Sequence, residues 1–177
     1  MSEEKKEPWL NYLALATVIF AVCATLSTFK GGGHSTKSVI SQAQASDQWA
    51  FFQAKNIREN MYRIQKENLE LQEAVMDADN QAARKKYEEA IKTADEKITK
   101  YAAEKAEIQK EAQDMEAMRD DAKKHVQPFG LAVIFFQVAI LLSSISALLK
   151  RKYIWYLALP VGCAGLVYFA NGFFLFF

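Results

Sequence analysis

The sequence predicts an all-helical membrane protein, with three transmembrane helices and a long antiparallel, coiled-coil-like helical hairpin between the first two spans. Three observations predict this fold. The 177 residues are 51% hydrophobic and 24% charged, yet most of the charge lies between Lys37 and Lys124. Both ends of the chain contain long apolar runs without charge. The segment between them has heptad spacing of apolar residues and contains neither glycine nor proline from Ser38 to Val126.

The apolar runs place the three spans at 9–29, 129–149 and 153–177. Each run is long enough for a helix to cross a hydrocarbon core of about 30 Å, and none contains Asp, Glu, Lys or Arg. The first run is longer than the apolar core of a signal peptide, which favours an uncleaved anchor. The remaining segments are an N-terminal tail at 1–8 and an extramembrane hairpin at 30–127.

The short loop between the last two spans predicts the orientation. This loop is Lys150-Arg151-Lys152, and cytoplasmic loops are enriched in such residues. We therefore expect a cytoplasmic N-terminus, with the hairpin and the C-terminus in the periplasm of a bacterial inner membrane. Lys30, Lys37, Lys123 and Lys124 flank the hairpin and oppose this assignment, but long loops cross membranes largely regardless of charge.

The hairpin is predicted from the spacing of its apolar residues. Asp77-Ala78-Asp79-Asn80 is its one run of turn and cap residues, which places the tip near 77–80. Gly31-Gly32-Gly33 is expected to act as a hinge between the first span and the hairpin.

Spacings of three and four residues predict that the two helices bury a shared stripe. On the first helix the stripe comprises Ala43, Asp47, Ala50, Ala54, Ile57, Met61, Ile64, Asn68, Leu71, Val75 and Ala78. On the second it comprises Tyr87, Ile91, Ala94, Ile98, Tyr101, Lys105, Ile108, Ala112, Met115, Arg119, Ala122 and Val126.

Three aromatic residues, Trp49, Phe51 and Phe52, lie outside the predicted stripe. They make one level of the first helix apolar almost all round, and a helix of that kind is normally buried. One interpretation is that the rings cover the hairpin partner. The other is that this level, with Asp47 and Gln48, forms an interface between copies of the chain.

The stretch from Ser41 to Arg58 reads SQAQASDQWAFFQAKNIR. This stretch, together with the layout of one span, a long helical segment and two closely spaced spans, resembles a bacterial family described as domain of unknown function 4337. The resemblance implies an inner-membrane protein. It implies no activity and no catalytic residues.

Polar and small residues within the last two spans are candidates for helix packing or for lining a pore. Polar groups in hydrocarbon seek partners on other helices, and small residues allow close helix approach. These residues are Gln137, Ser143, Ser144, Gly162, Gly165 and Asn171.

The sequence contains few residues in patterns typical of catalytic or metal-binding sites. Cys23 and Cys163 both lie in apolar runs, which argues against a disulfide or a zinc site. The fold-back brings His34 and His125 near the hairpin base, where a metal or pH response is possible, although an interfacial polar role is favoured. No catalytic motif is present, so we expect no enzyme activity, cofactor, metal site or small-molecule substrate. A net charge of +1 argues against a nucleic-acid partner.

These features favour a structural or scaffolding homo-oligomer, held together by hairpin and transmembrane packing in contact with membrane lipids. An oligomeric pore or channel is one alternative. Another is an accessory subunit whose hairpin docks onto a larger membrane complex.

Overall fold

The computed structural model describes residues 8–76 and 80–177, and within these residues all regular secondary structure is helical. Helix α1 spans Pro8–Ala74, α2 spans Gln81–Leu149 and α3 spans Lys152–Phe174. All three helices contain a stretch that is long and apolar enough to cross a membrane. The prediction of an all-helical chain with three such helices is therefore confirmed.

Three residues mark the ends of α2 and α3. Asn80 caps α2, because its Oδ1 accepts a hydrogen bond from the amide of Ala83 at 3.3 Å. The rest of the predicted tip, residues 77–79, lies outside the described residues. Lys150 adopts a left-handed conformation between α2 and α3, with φ 50°. Leu175 does the same after α3, and its amide donates to the carbonyl of Asn171 at 2.8 Å.

The chain divides into two compact units. Unit 1 comprises Met1–Ile40 and Met118–Phe177, and unit 2 comprises Ser41–Ala117. The predicted hinge glycines, Gly31 to Gly33, do not interrupt the helix but lie within α1. Pro128 likewise lies within α2. Gly31 has a packing role there, since a Cβ at this position would lie 3.0 Å from the Cβ of Phe129. The close approach of α2 thus accounts for one of the three glycines.

Unit 1 has a core of aromatic rings packed against small residues. Phe20, Ala132, Phe136 and Ala139 form its buried centre.

The glycines of α3 provide the space that these rings occupy. A Cβ at Gly162 would meet the ring of Phe20, one at Gly165 the ring of Phe136, and one at Gly172 the ring of Phe129. Because these approaches need the absence of a side chain, the glycines fix how closely α3 packs.

In unit 2 the residues of α1 and α2 pair in antiparallel order. Tyr62 stacks on Tyr101 with ring centroids 5.8 Å apart, and Lys66 lies 2.6 Å from Asp95. The stripe predicted for α2 faces α1, since its members Ala94 and Ala112 are buried. The apolar stripe members between them, Ile98, Tyr101 and Ile108, are half-buried.

The stripe predicted for α1 is wrong as a contact with α2. Its large residues are exposed: Ile57, Met61, Ile64, Leu71 and Val75 keep between 59% and 85% of their surface accessible. The residues that face α2 lie two positions earlier and are more polar, and they include Lys55, Glu59, Tyr62 and Lys66. The physical reason lies on α2, whose stripe carries Lys105. A cation in this position needs a carboxylate opposite, and an aliphatic face of α1 could not supply one.

Candidate functional site

The aromatic level of α1 in unit 2 is divided between two environments. The indole Nε1 of Trp49 donates a hydrogen bond to Glu116 Oε1 at 3.0 Å. Phe52 contacts Trp49 edge-on, with centroids 5.5 Å apart, and the Nζ of Lys105 lies 5.5 Å from its ring centroid. Both rings therefore pack within their own chain. Phe51 points away and is 60% exposed.

The polar members of the predicted interface follow the same division. Gln48 is half-buried, while Asp47 is exposed beside Phe51 on the outer side of α1. The structure thus leaves Asp47 and Phe51 available to another molecule.

An ion pair between buried Glu59 and half-buried Lys105 lies two turns beyond Phe52. The Glu59 carboxylate is 2.7 Å from Lys105 Nζ, and it also pairs with Arg63 on its own helix. Lys105 in turn donates to Asn56 Oδ1 at 2.8 Å. The hydrogen bond from Lys105, followed by that from Arg63, holds the pKa of Glu59 below its usual range. The heptad spacing predicts Lys105 in the stripe of α2 but does not identify Glu59 as its partner. The sequence signal for such a partner is the lysine in the buried stripe, because a cation in that position requires a carboxylate on the facing helix.

An open groove runs along the exposed side of unit 2. It has a volume of about 800 Å³. Its lining is mainly apolar and amide side chains, among them Met61, Ile64, Asn68, Leu69 and Tyr101. Arg58 also lines the groove. An exposed surface of mainly apolar and amide side chains is typical of a protein interaction site.

Unit 1 brings the two histidines together, as the fold-back predicted. The rings of His34 and His125 stack with centroids 4.4 Å apart, and His34 also lies over Phe129 at 6.0 Å. His125 Nδ1 lies 2.7 Å from the carbonyl oxygen of Gly172, to which it donates when protonated there. Burial lowers the pKa of His34, and the neighbouring His125 and Lys37 lower it further. In residues 8–76 and 80–177, no three histidine, cysteine or carboxylate side chains come together in an arrangement that could hold a metal ion.

The polar residues of the predicted spans differ in their surroundings. Ser143 is buried, and its hydroxyl has no hydrogen-bond partner within the described part of the chain. Ser144 is exposed and donates to the carbonyl of Ile140 at 2.8 Å. Gln137 is also exposed, and it lies two helical turns from Ser144 on the same side of α2.

The remaining candidates act inside unit 1. Gly162 and Gly165 are buried beneath the rings of Phe20 and Phe136. Asn171 is buried and makes two hydrogen bonds of 3.2 Å with the backbone of Phe177. These three residues therefore serve helix packing and the end of α3, whereas Gln137 and Ser144 form an outward polar pair.

Aromatic and cationic residues meet at the opposite end of unit 1. Trp9 and Trp155 have ring centroids 6.4 Å apart, and Lys152 Nζ lies 5.7 Å from the Trp9 ring. Tryptophan and lysine side chains of this kind are typical of the headgroup region of a membrane. The start of α1 and the turn before α3 therefore lie at one end of unit 1.

A protein-family model matches residues 9–175, which is nearly the whole chain. The matched family is described as a domain of unknown function, DUF4337. Comparison with curated proteins and with solved structures gives no match.

Proposed function

The chain belongs to the family described as a domain of unknown function, DUF4337, and we propose a role for it from the surfaces that its fold leaves exposed. It is a multi-pass protein of the bacterial inner membrane that assembles into a homo-oligomer. The helical hairpin of unit 2 and the apolar helices of unit 1 both contribute to this assembly. The assembly acts as a scaffold or spacer and has no enzymatic activity, cofactor or small-molecule substrate.

The observation that carries the proposal is the exposed apolar surface of unit 2. Phe51 is 60% exposed although its neighbours Trp49 and Phe52 pack within the chain. Two helices form no third layer that could cover such a residue. Large apolar side chains left in water on one side of a charged helix mark an interaction surface.

The exposed amide of Gln137 supports a second contact, between spans. Gln137 lies near the middle of a predicted span and is exposed on the outer side of α2. In hydrocarbon an amide is stabilised by a hydrogen bond to another helix. A neighbouring copy presents such a helix.

The mass of the detergent-solubilised particle tests the proposal. Native mass spectrometry should give a closed homo-oligomer of one mass. A monomer would overturn the scaffold. A particle in which the chain co-purifies in fixed ratio with other proteins would favour an accessory subunit of a larger complex.

The same proposal includes an orientation, with the N-terminus in the cytoplasm and the hairpin and C-terminus in the periplasm. The cluster of Trp9, Lys152 and Trp155 supports it, because these residues lie at one end of unit 1 beside the basic turn. Reporter fusions at Asp79 and at the C-terminus should both be active in the periplasm. A cytoplasmic signal at Asp79 would overturn this topology.

A pore is the second candidate, and one observation favours it. Gln137 and Ser144 lie on the same outer side of α2, so a ring of copies could line a passage with these polar groups. Purified protein in liposomes should then conduct ions, and Gln137→Phe should abolish the conductance. Val138→Phe, one position away, is the matched control. Liposomes that conduct equally with and without the protein would exclude the pore.

A further inference from the structure

We infer that the exposed apolar face of α1 in unit 2 packs, in register and parallel, against the same face of a second copy. We call this face the outer stripe and define it by Ala50, Ala54, Ile57, Met61, Ile64, Asn68, Leu71 and Val75. The inference rests on the proposed function and names the surface through which the extramembrane units associate.

The outer stripe is exposed in the folded chain. The five large aliphatic members of the outer stripe, Ile57 to Val75, all keep more than half of their surface accessible. Lys55, Glu59 and Lys66 on the opposite side of the helix pair with Glu104, Lys105 and Asp95 of α2. Packing of α1 against α2 is therefore complete without the outer stripe, which is left for another molecule.

The spacing of the outer stripe matches a heptad repeat. Its members alternate at intervals of four and three residues, which are the a and d positions of a heptad repeat. Ile57, Ile64 and Leu71 occupy d positions, and Met61, Asn68 and Val75 occupy a positions. A face with this repeat is complementary to a second copy of itself, since each side chain meets the same level of the partner.

The charges in and beside the outer stripe are compatible with a parallel pair. The outer stripe contains no charged residue, although it lies on a helix rich in them. In a parallel pair, the flanking positions bring together Gln53 with Arg58, Asn60 with Gln65, and Glu67 with Gln72. No like charges meet. Asp47 limits the stripe at its start, because an in-register pair would place two Asp47 carboxylates together.

The available area is sufficient for association. Five aliphatic side chains at these exposures, with Phe51 at the flank, provide on the order of 1,000 Å² from two copies together. That value reaches the lower bound of specific interfaces.

The direction of the pair follows from Asn68 and from the membrane. A single asparagine at an a position favours a parallel two-stranded pair, because its amide bonds the same amide of the partner. Copies inserted in one membrane in the same sense also leave it in the same direction.

Disulfide cross-linking in isolated membranes tests the inference. In a Cys23→Ala, Cys163→Ala background, Ile57→Cys and Ile64→Cys place a thiol at a d position. Parallel in-register packing brings the two Cβ atoms within reach of a disulfide, at roughly 4 Å. Mild oxidation should then link most of each variant into dimers. Ala103→Cys is the matched control, since Ala103 is exposed on α2 near the level of Glu59. We expect at least about fivefold less dimer from it.

A second variant addresses the same surface without added thiols. Ile57→Lys with Ile64→Lys should reduce the mass of the solubilised particle and leave helical content unchanged, because both side chains are exposed within the chain. If the double lysine variant loses helical content, it has unfolded, and the cross-linking of positions 57 and 64 then decides whether the outer stripe is an interface.

The combined results separate this inference from the proposed function. Cross-links at positions 57 and 64, but not at 103, support the outer stripe. An oligomeric particle with no preference for positions 57 and 64 overturns the stripe and leaves the homo-oligomer in place. A monomeric particle overturns both.

Discussion

Single charged residues in unit 2 show how its two helices recognise each other. Glu59 is almost fully buried, and its partner Lys105 reaches it from α2 at 2.7 Å. Breaking such a pair on one side leaves the other charge uncompensated, whereas replacing both partners by apolar groups is often neutral. The pair therefore sets the rotation of α1 against α2 more than it adds stability.

Replacement of Glu59 by Leu should destabilise unit 2 by roughly 1–3 kcal/mol, because Lys105 loses its carboxylate. Glu59→Leu combined with Lys105→Leu should recover most of that loss. Chemical denaturation of the unmodified protein, Glu59→Leu, Lys105→Leu and the double variant checks this. Equal loss in the single and double variants would show that the pair is not coupled.

Acid should weaken the folded state of unit 1 through His34. Burial and the neighbouring cations lower its pKa below the ordinary value of 6.5, so the folded protein binds this proton less tightly than the unfolded chain. The contribution of neutral His34 to the free energy of unfolding is complete at neutral pH. This contribution is lost as the pH falls through 6.5 toward the lowered pKa. Thermal denaturation at pH 7.5 and 5.5 should show the difference, and His34→Gln should reduce it. An unchanged pH response in that variant would exclude His34 as the cause.

At the scale of helices, close packing in unit 1 depends on where glycines meet aromatic rings. The ring of Phe20 occupies the position that a Cβ on Gly162 would take, at only 2.1 Å from the nearest ring atom. Gly32 on α1 has no neighbouring atom within 4 Å of the same position. The two glycines therefore have opposite consequences for stability although both lie in helices.

Gly162→Ala should lower the stability of unit 1 by about 1–3 kcal/mol, because Phe20 must move in a packed core. Gly32→Ala is the matched control. It should raise stability by roughly 0.5–1 kcal/mol, because alanine loses less conformational freedom in a helix. Thermal denaturation in detergent distinguishes them, and a shift of the same sign in both would contradict this assignment.

Asn68 should control the number of associating helices if the outer stripe is an interface. Asn68→Val should raise the thermal stability of the particle and broaden its distribution of masses, because an apolar residue at an a position tolerates more oligomeric states. Gln109→Val, at an exposed position of α2, should change neither property. Native mass spectrometry of both variants provides the comparison.

At the scale of the whole molecule, fold and assembly use different residues of the same short segment. Phe52 lies between Trp49 and Lys105, whereas Phe51 has no such cover. Neighbouring phenylalanines thus belong to two different surfaces, one internal and one external.

Phe52→Ser should lower the stability of unit 2 by about 1–3 kcal/mol, less than a fully buried aromatic would cost. Phe51→Ser should leave stability nearly unchanged and reduce the particle mass. Circular dichroism melting and native mass spectrometry separate the two effects. A Phe51→Ser particle of native mass would remove this residue from the interface.

Composition and spacing alone were enough to predict three apolar helices, a run of turn and cap residues that includes Asn80, and the stripe of α2 that faces α1. These features are local, because helix length, capping and periodicity depend on residues within a few turns of one another. The sequence also identified His34 with His125 as neighbours and Gly162 with Gly165 as packing positions.

The side of α1 that faces α2 was decided only by the tertiary structure. Sequence periodicity favoured the aliphatic stripe from Ile57 to Val75, but the fold turns that stripe outward and places Glu59 and Tyr62 inward. The physical reason is that helix pairing depends on the residues opposite, here Lys105 and Tyr101, and not on the hydrophobicity of one helix alone. For the same reason the structure separates Phe51 from Trp49 and Phe52, which the sequence treated as one surface.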